Sequence, residues 1–351
     1  MTASDAERKN IKEKMPHLLL KRLYLNSRVS IKQLSRETEI SYHTVSKHLK
    51  ECIKNYELAF TTDIDTNILG FSEGRMLMIK FDKIPPTELL KEKLKDDIFV
   101  QNAYTAVGDF DLLIHVIGLT PEEYDHWEFK LRVELFDYKP RVKSVTLNHI
   151  IEGFLPIRSK IINKSKNITQ EEKKILIMLI DNSRTKLTDI EKKTRISKAN
   201  ILYKINKLKK KGIIKQFTFT VQNPKKHMHL FYSFTFMPSK EHHPKLLYNL
   251  LDVLINNEDE DVVNDYSVVC DTTGHFDGIY FCNFKDGVEY TNRGPVFLKK
   301  IWESEYPITS ECILTGIICG KWPFTTNDYT KWSIVLEHEK NLMIKQGLKN
   351  G

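Results

Sequence analysis

The feature that most constrains this chain is a repeat at long period. Near the N-terminus, Leu18, Leu19, Leu20, Leu23 and Leu25 form the apolar side of a helix. Ser30-Ile31-Lys32-Gln33-Leu34-Ser35 opens a second, short helix with Ser30 as its N-cap. Ile40-Ser41 closes it and caps a third helix, expected over Tyr42 to Lys54. The same order returns in the second half. Thr169 with Glu172 three residues on is a capping box, and Ile175, Leu176, Leu179 and Ile180 supply the apolar stripe. Leu187 to Thr194 is the short helix, Ile196-Ser197 the turn, and Lys198 to Lys211 the longer helix, with Gly212 at its C′ position. An alternating stretch follows each block: Leu58 to Ile64 in the first, and Phe217, Phe219 and Val221 in the second. Three helices followed by a β-ribbon, twice, is the plan of two winged helix-turn-helix units.

A second pattern follows each block. Met76 to Phe81, Phe99 to Val107, Asp111 to Ile117 and Val142 to Ile150 read as strands, with helices over Pro86 to Lys95 and Pro121 to Phe136. That is the β-α-β-β-α-β order of a ferredoxin-like domain. In the second copy, strands are expected near Leu230 to Phe236, Val262 to Val269, Gly278 to Phe284 and Ser310 to Ile318, with helices near Pro244 to Asn256 and Pro295 to Glu303. The hairpins match: Gly108-Asp109-Phe110-Asp111 against Gly274-His275-Phe276-Asp277. The expected fold class is α+β: two winged helix-turn-helix domains and two ferredoxin-like βαββαβ domains in tandem. Their bounds are 1–64, 65–157, a linker at 158–168, 169–225 and 226–324, with a C-terminal helix within 325–351, from Tyr329 to Lys345.

Charge is segregated along the chain. Residues 157–226 carry 20 Lys and Arg against 5 Asp and Glu, and residues 1–60 carry 12 against 7, so the remainder of this +8 chain is acidic. Two basic blocks, each on a three-helix unit, are the footprint of a nucleic-acid contact surface. No run of 18 apolar residues exists, the first 14 residues lack an apolar core for export, and a cytoplasmic location is expected. The five cysteines, Cys52, Cys270, Cys282, Cys312 and Cys319, form no Cys-x-x-Cys pair, so neither a disulfide framework nor a zinc site is expected. Gly-rich nucleotide loops are absent, and no spacing defines a catalytic triad. No catalytic residue, metal or cofactor is therefore expected.

These residues resemble the leucine-responsive regulatory protein (Lrp/AsnC, "feast/famine") family, which joins a winged helix-turn-helix to a βαββαβ domain of the RAM type. The likeness is carried by Ile175-Leu176, Ile196-Ser197, Ile201-Leu202, Ile205, Leu208 and Lys211-Gly212-Ile213-Ile214, and by Gly108-Asp109-Phe110-Asp111. It departs from the family in having two modules per chain, His275 in place of an acid, Gly294-Pro295 within a helix, and Tyr56-Glu57 where a glycine would follow the first recognition helix. The resemblance implies a transcriptional regulator of double-stranded DNA, responsive to an amino acid or other small effector, acting as a homodimer or as an intramolecular pseudo-dimer, and not an enzyme. The implied DNA contacts are Tyr42, His43, Thr44, Ser46, Lys47 and Lys50 in the first unit, and Lys198, Asn200, Lys204, Lys207 and Lys211 in the second. Effector residues are implied at Gly108, Asp109, Phe110 and Asp111 and at Gly274, His275, Phe276 and Asp277, where the first motif's carboxylates suit a ligand amine. The Lys, Ile and Asn content has an archaeal cast.

Two alternatives stand beside this reading. Siroheme decarboxylases resemble the same architecture, and His115, His149, His227, His229, His242, His243 and His275 are the histidines available here. The other is a DNA-organising scaffold without an effector.

Overall fold

A computed structural model gives the chain mixed α and β structure. It describes residues 19–71, 74–221, 228–235, 266–292 and 308–322, less positions 21, 39, 56, 119, 285 and 289. The helices expected at Pro244 to Asn256, Pro295 to Glu303 and Tyr329 to Lys345 lie outside the described residues. Helical residues at 22–25 lead into α1 (Ile31–Thr38), α2 (Tyr42–Asn55) and β1 (Leu58–Ile64). Next come β2 (Arg75–Phe81), α3 (Thr87–Leu94), β3 (Val100–Gly108), β4 (Leu112–Val116), α4 (Pro121–Glu134) and β5 (Pro140–Glu152). The second half supplies α5 (Gln170–Asp181), α6 (Leu187–Thr194), α7 (Lys198–Lys210), β6 (Ile214–Val221), β7 (Met228–Phe234), β8 (Tyr266–Gly274), β9 (Gly278–Phe284) and β10 (Ile308–Cys319).

Local chemistry sets the helix ends. Thr169 accepts from the Glu172 N–H while the Glu172 carboxylate accepts from the Thr169 N–H, so the first free donors of α5 are satisfied reciprocally. Thr120 and Glu123 do the same for α4, with Pro121 at its first position. Gly212 ends α7 at φ +75°, and Glu57 takes the same left-handed region at φ +47° after α2. A glycine is therefore not required there; Glu57 carries the strain a side chain meets in that region.

Each three-helix unit was expected to have its own β-ribbon. Instead β1 and β6 pair with each other, antiparallel, with Phe60 opposite Phe219 and Thr62 opposite Phe217. A half-buried strand needs a neighbour to bond its second row of backbone groups, and sequence alternation does not say whose strand it is. The pairing exchanges core residues. Phe219 of β6 packs with Leu23, Leu34, Val45, Leu49 and Leu58 of the first unit, while Ile64 of β1 belongs to the core of α5, α6 and α7. The Thr61 and Thr62 hydroxyls donate to the Ile180 and Leu179 carbonyls at 2.7 and 2.8 Å, covering the C-terminal end of α5.

The other eight strands close into one antiparallel barrel in the order β10-β3-β4-β2-β5-β8-β9-β7. The first half runs β5-β2-β4-β3 and the second β10-β7-β9-β8, the same order, joined at the β3–β10 and β5–β8 seams. Alternation sends Met76, Met78, Leu113, Phe231 and Phe281 inward and Leu77, Ile79, Leu112 and Ile114 outward beneath α3 and α4, and the hairpin residues Phe110 and Phe276 also fold into the interior. Residues 158–168, expected as a linker, are packed: Ile161 and Ile162 are fully buried, and the Arg158 guanidinium donates to the Asp97 and Val100 carbonyls at 2.9 and 2.8 Å. Lys321, just past β10, reaches the helical layer and donates to Thr61 and the Ile180 carbonyl.

Candidate nucleic-acid interface

In α7 the Ser197 hydroxyl accepts from the Asn200 N–H, and Arg195 turns the chain in the left-handed region just before it. Ile201, Ile205 and Leu208, at i, i+4 and i+7, are buried against α5 and α6. Lys198, Asn200 and Lys211 are exposed on the outward side, Lys198 with its Nζ 3.5 Å from the partly exposed Glu191 carboxylate. Lys204 and Lys207 behave differently. Lys204 Nζ lies 2.9 Å from Glu171, and Lys207 Nζ lies 2.9 Å from Glu172, whose side chain is 1% exposed. Both ammonium groups are turned back onto the first turn of α5. Releasing Lys207 to a phosphate would leave the Glu172 carboxylate with the Thr169 N–H alone, so the pair opposes that release.

Burial by itself raises the Glu172 pKa, but the Thr169 N–H, Lys207 and the Thr169 hydroxyl outweigh it and hold the carboxyl down to about 2. A carboxyl depressed in the folded state contributes stability that is present above its unfolded value and lost as pH falls through the folded one. Glu172→Gln, which keeps the capping geometry, is therefore expected to lower stability at neutral pH and to flatten the acid limb between about pH 4.5 and 2. Urea denaturation across that range checks it; an acid limb as steep as in the parent would refute the assignment.

In α2, Val45, Leu49 and Cys52 are buried, and Tyr42, His43, Lys47 and Lys50 are exposed. Thr44 and Ser46 are half-buried. The Thr44 N–H donates to the Ser41 hydroxyl at 3.2 Å and the two hydroxyls lie 2.8 Å apart, so Thr44 serves the helix start.

The two units meet where the chain repeats a tripeptide not singled out from the sequence: Asn26-Ser27-Arg28 and Asn182-Ser183-Arg184. The Ser27 and Ser183 hydroxyls lie 2.6 Å apart. Arg28 stands over Phe217 of β6 at 5.4 Å, and Arg184 over Phe60 of β1 at 5.1 Å. Arg28 also donates to the Ser183 and Thr185 carbonyls. Burial, then the neighbouring Arg184, lowers the Arg28 pKa. A contact made in both directions is the mark of a two-fold relation. Self-comparison of short words, beside the helical periods, is the signal that finds it.

The residues implied as effector ligands form barrel seams. Asp111 is 6% exposed and accepts from Lys80 Nζ at 2.8 Å and from the Phe81 N–H at 2.9 Å. Asp109 accepts from the Glu311 N–H at 2.8 Å across the β3–β10 seam. Phe110 and Phe276 meet edge to face inside the barrel, at 6.3 Å. Gly108 and Gly274 pass close to the Glu311 and Ser144 carbonyls, at φ +133° and +126°. His275 donates its N–H to Ser144, and the Asp277 carbonyl accepts from the Thr272 N–H. Of the histidines, His115 is buried on Asn102, which donates to its Nδ1 at 3.1 Å, and burial pushes its pKa down to about 3. His229 stacks on Trp322 at 4.7 Å. The described cysteines are buried and unpaired by disulfides. Among the described residues no helix is long and apolar enough to cross a membrane, and no three His, Cys, Asp or Glu side chains group as a metal site.

Residues 172–215, which span α5 to the start of β6, match the family model described as winged helix-turn-helix DNA-binding. No curated protein sequence matches the chain. Among solved structures, the siroheme decarboxylase NirDL is similar over 93% of this chain and 99% of its own, at 13% identity and a TM-score of 0.56. Its complex with an iron-uroporphyrin III analogue gives 94% and 99%, at 13% and 0.54. AsnC of E. coli aligns with 42% of this chain and 91% of its own, at 22% identity and a TM-score of 0.33. The chain thus carries a winged helix-turn-helix in an α+β fold shared along nearly its whole length with an enzyme. That likeness overturns the expectation that the chain is not an enzyme. The expectation rested on the resemblance to a regulator family and on the lack of a catalytic constellation by spacing, and residues on different strands of a barrel have no fixed spacing in sequence.

Proposed function

We propose that this chain is a sequence-specific double-stranded-DNA-binding transcriptional regulator of the Lrp/AsnC type, two copies of one module fused so that they pair within the chain. The observation that carries the reading is the outward side of α7, exposed and flanked at its two ends by the exposed cations Lys193, Arg195, Lys198, Lys210 and Lys211, in a segment that matches a winged helix-turn-helix DNA-binding model. The reciprocal Ser27–Ser183 and Arg–Phe contacts and the equal strand order of the two barrel halves support the paired-module part, with the module boundary at 158–168. Lys198, Asn200 and Lys211 in the second unit and Tyr42, His43, Lys47 and Lys50 in the first are the proposed DNA contacts. Lys204 and Lys207 hold α7 to α5.

The test is the salt dependence of duplex binding by the full chain. Replacing Lys198 and Lys211 together by alanine is expected to reduce the slope of log K against log salt by about 1.8, or 0.9 per phosphate contact. Lys204→Ala is expected to leave the slope unchanged. A slope indifferent to the first pair would overturn the assignment.

A second reading is favoured by the full-length likeness to NirDL: decarboxylation of a tetrapyrrole such as siroheme. Adding siroheme to the purified chain, with absorbance to follow binding and mass spectrometry to follow loss of carbon dioxide, tests it. An unchanged spectrum removes it.

A further inference from the structure

The outward stripe of α7 has an apolar centre. Lys198, Ala199, Leu202, Tyr203 and Asn206 follow one another at helical spacing, and all are exposed. Leu202 is 49% exposed and Tyr203 66%. The cations that would have screened this strip, Lys204 and Lys207, are drawn off it to Glu171 and Glu172. Exposed cations remain at its two ends: Lys193, Arg195 and Lys198 before it, Lys210 and Lys211 after it. An apolar strip rimmed by charge marks a contact surface rather than a solvated face. Of the corresponding positions of α2, His43, Ser46, Lys47 and Lys50 are polar, and only Tyr42, at the start of the helix, offers exposed apolar surface.

Resting on the DNA-binding reading above, we propose that α7 reads the 5-methyl groups of thymine in the major groove through Ala199, Leu202 and the ring of Tyr203, with Asn200 beside them. The cationic rim selects a polyanion, and within a duplex the thymine methyl is the apolar group that the major groove presents. Phosphates meet the two cationic ends, fix the register and carry no sequence information. The first unit, with hydroxyl and imidazole groups on α2, reads hydrogen-bonding edges. The two halves of the chain therefore demand different half-sites, and the preferred duplex is not a palindrome.

The experiment selects bound duplexes from a random pool with the full chain, then remakes the best duplex with deoxyuridine in place of thymine. Uracil pairs identically and lacks only the methyl. The expected result is a half-site rich in thymine and binding about 15- to 60-fold weaker on the uracil duplex, the effect of losing two or three buried methyl contacts. Leu202→Ala, a surface change expected to leave thermal unfolding unaltered, should bind with the parent's salt slope and a reduced difference between thymine and uracil duplexes. Equal binding of the two duplexes by the parent chain overturns the inference and leaves the DNA-binding reading standing. So does Leu202→Ala altering the oligomeric state in sedimentation with no thymine dependence, since the strip would then be a protein contact. Absence of duplex binding at low salt overturns both.

Discussion

Replacing Phe219 with alanine is expected to destabilise the N-terminal helical unit by about 3–5 kcal/mol, although the residue lies far from it in sequence. Phe219 is 1% exposed and packs among Leu19, Leu20, Leu23, Leu34, Val45, Leu49 and Leu58, with Tyr24 edge-on at 6.1 Å. The first unit is small, with two described helices of 8 and 14 residues, so one missing aromatic ring is a large share of its core. The effect should be local. Hydrogen exchange in α1 and α2 should accelerate while the barrel strands remain protected, because the barrel interior is a separate cluster. Phe217→Ala is the matched comparison: Phe217 belongs to the core of the second unit and carries Arg28 and Lys209 over its ring. A loss below about 1 kcal/mol for Phe219→Ala, or one shared evenly with the barrel, would show that β6 does not complete the first core.

Gly108→Ala is expected to open the β3–β10 seam. Gly108 sits at φ +133°, a conformation that costs a residue with a side chain about 1–3 kcal/mol. A methyl there would lie 2.6 Å from the Glu311 carbonyl and 3.0 Å from Cys312 Cα, both main-chain atoms of the strand that closes the barrel. Overpacking against backbone adds about 1–3 kcal/mol more. The two bonds between Asp109 and the Glu311 backbone, at 3.0 and 2.8 Å, would be the first to break. Gly274→Ala strains the other seam in the same way, with its methyl 2.9 Å from the Ser144 carbonyl. Gly287→Ala meets nothing within 4 Å and is expected to fall within about 0.5 kcal/mol of the parent. Thermal unfolding orders the three. Equal midpoints for Gly108→Ala and Gly287→Ala would mean that the hairpin is free to relax, and that its glycine serves something other than closure.

The helices show how far local chemistry reaches. Capping boxes at Thr169 and Thr120, apolar positions at Ile201, Ile205 and Leu208, and the turn at Ile196-Ser197 act within a few residues, so they can be read directly from the chain. The Glu57 position shows the limit of a residue rule. The backbone conformation recurs there without the glycine that usually supplies it. The candidate site was legible in part. Which face of α7 is buried follows from its period, so Lys198, Asn200 and Lys211 are exposed where that period puts them. That Lys204 and Lys207 belong to Glu171 and Glu172 does not follow from the period, because it depends on how α7 crosses α5.

Periodicity and end signals act over one helical turn or one strand, and for that reason the amino-acid order alone determined the described helices, most described strands and which side of α7 faces outward. Strand partnership is different. A hydrogen-bonding edge accepts any complementary edge, and the choice is made by the hydrophobic surface that each pairing buries across the whole molecule. Only the tertiary structure decided that β1 joins β6, that β3 and β5 close a barrel with β10 and β8, and that the Gly108 and Gly274 hairpins act as its seams.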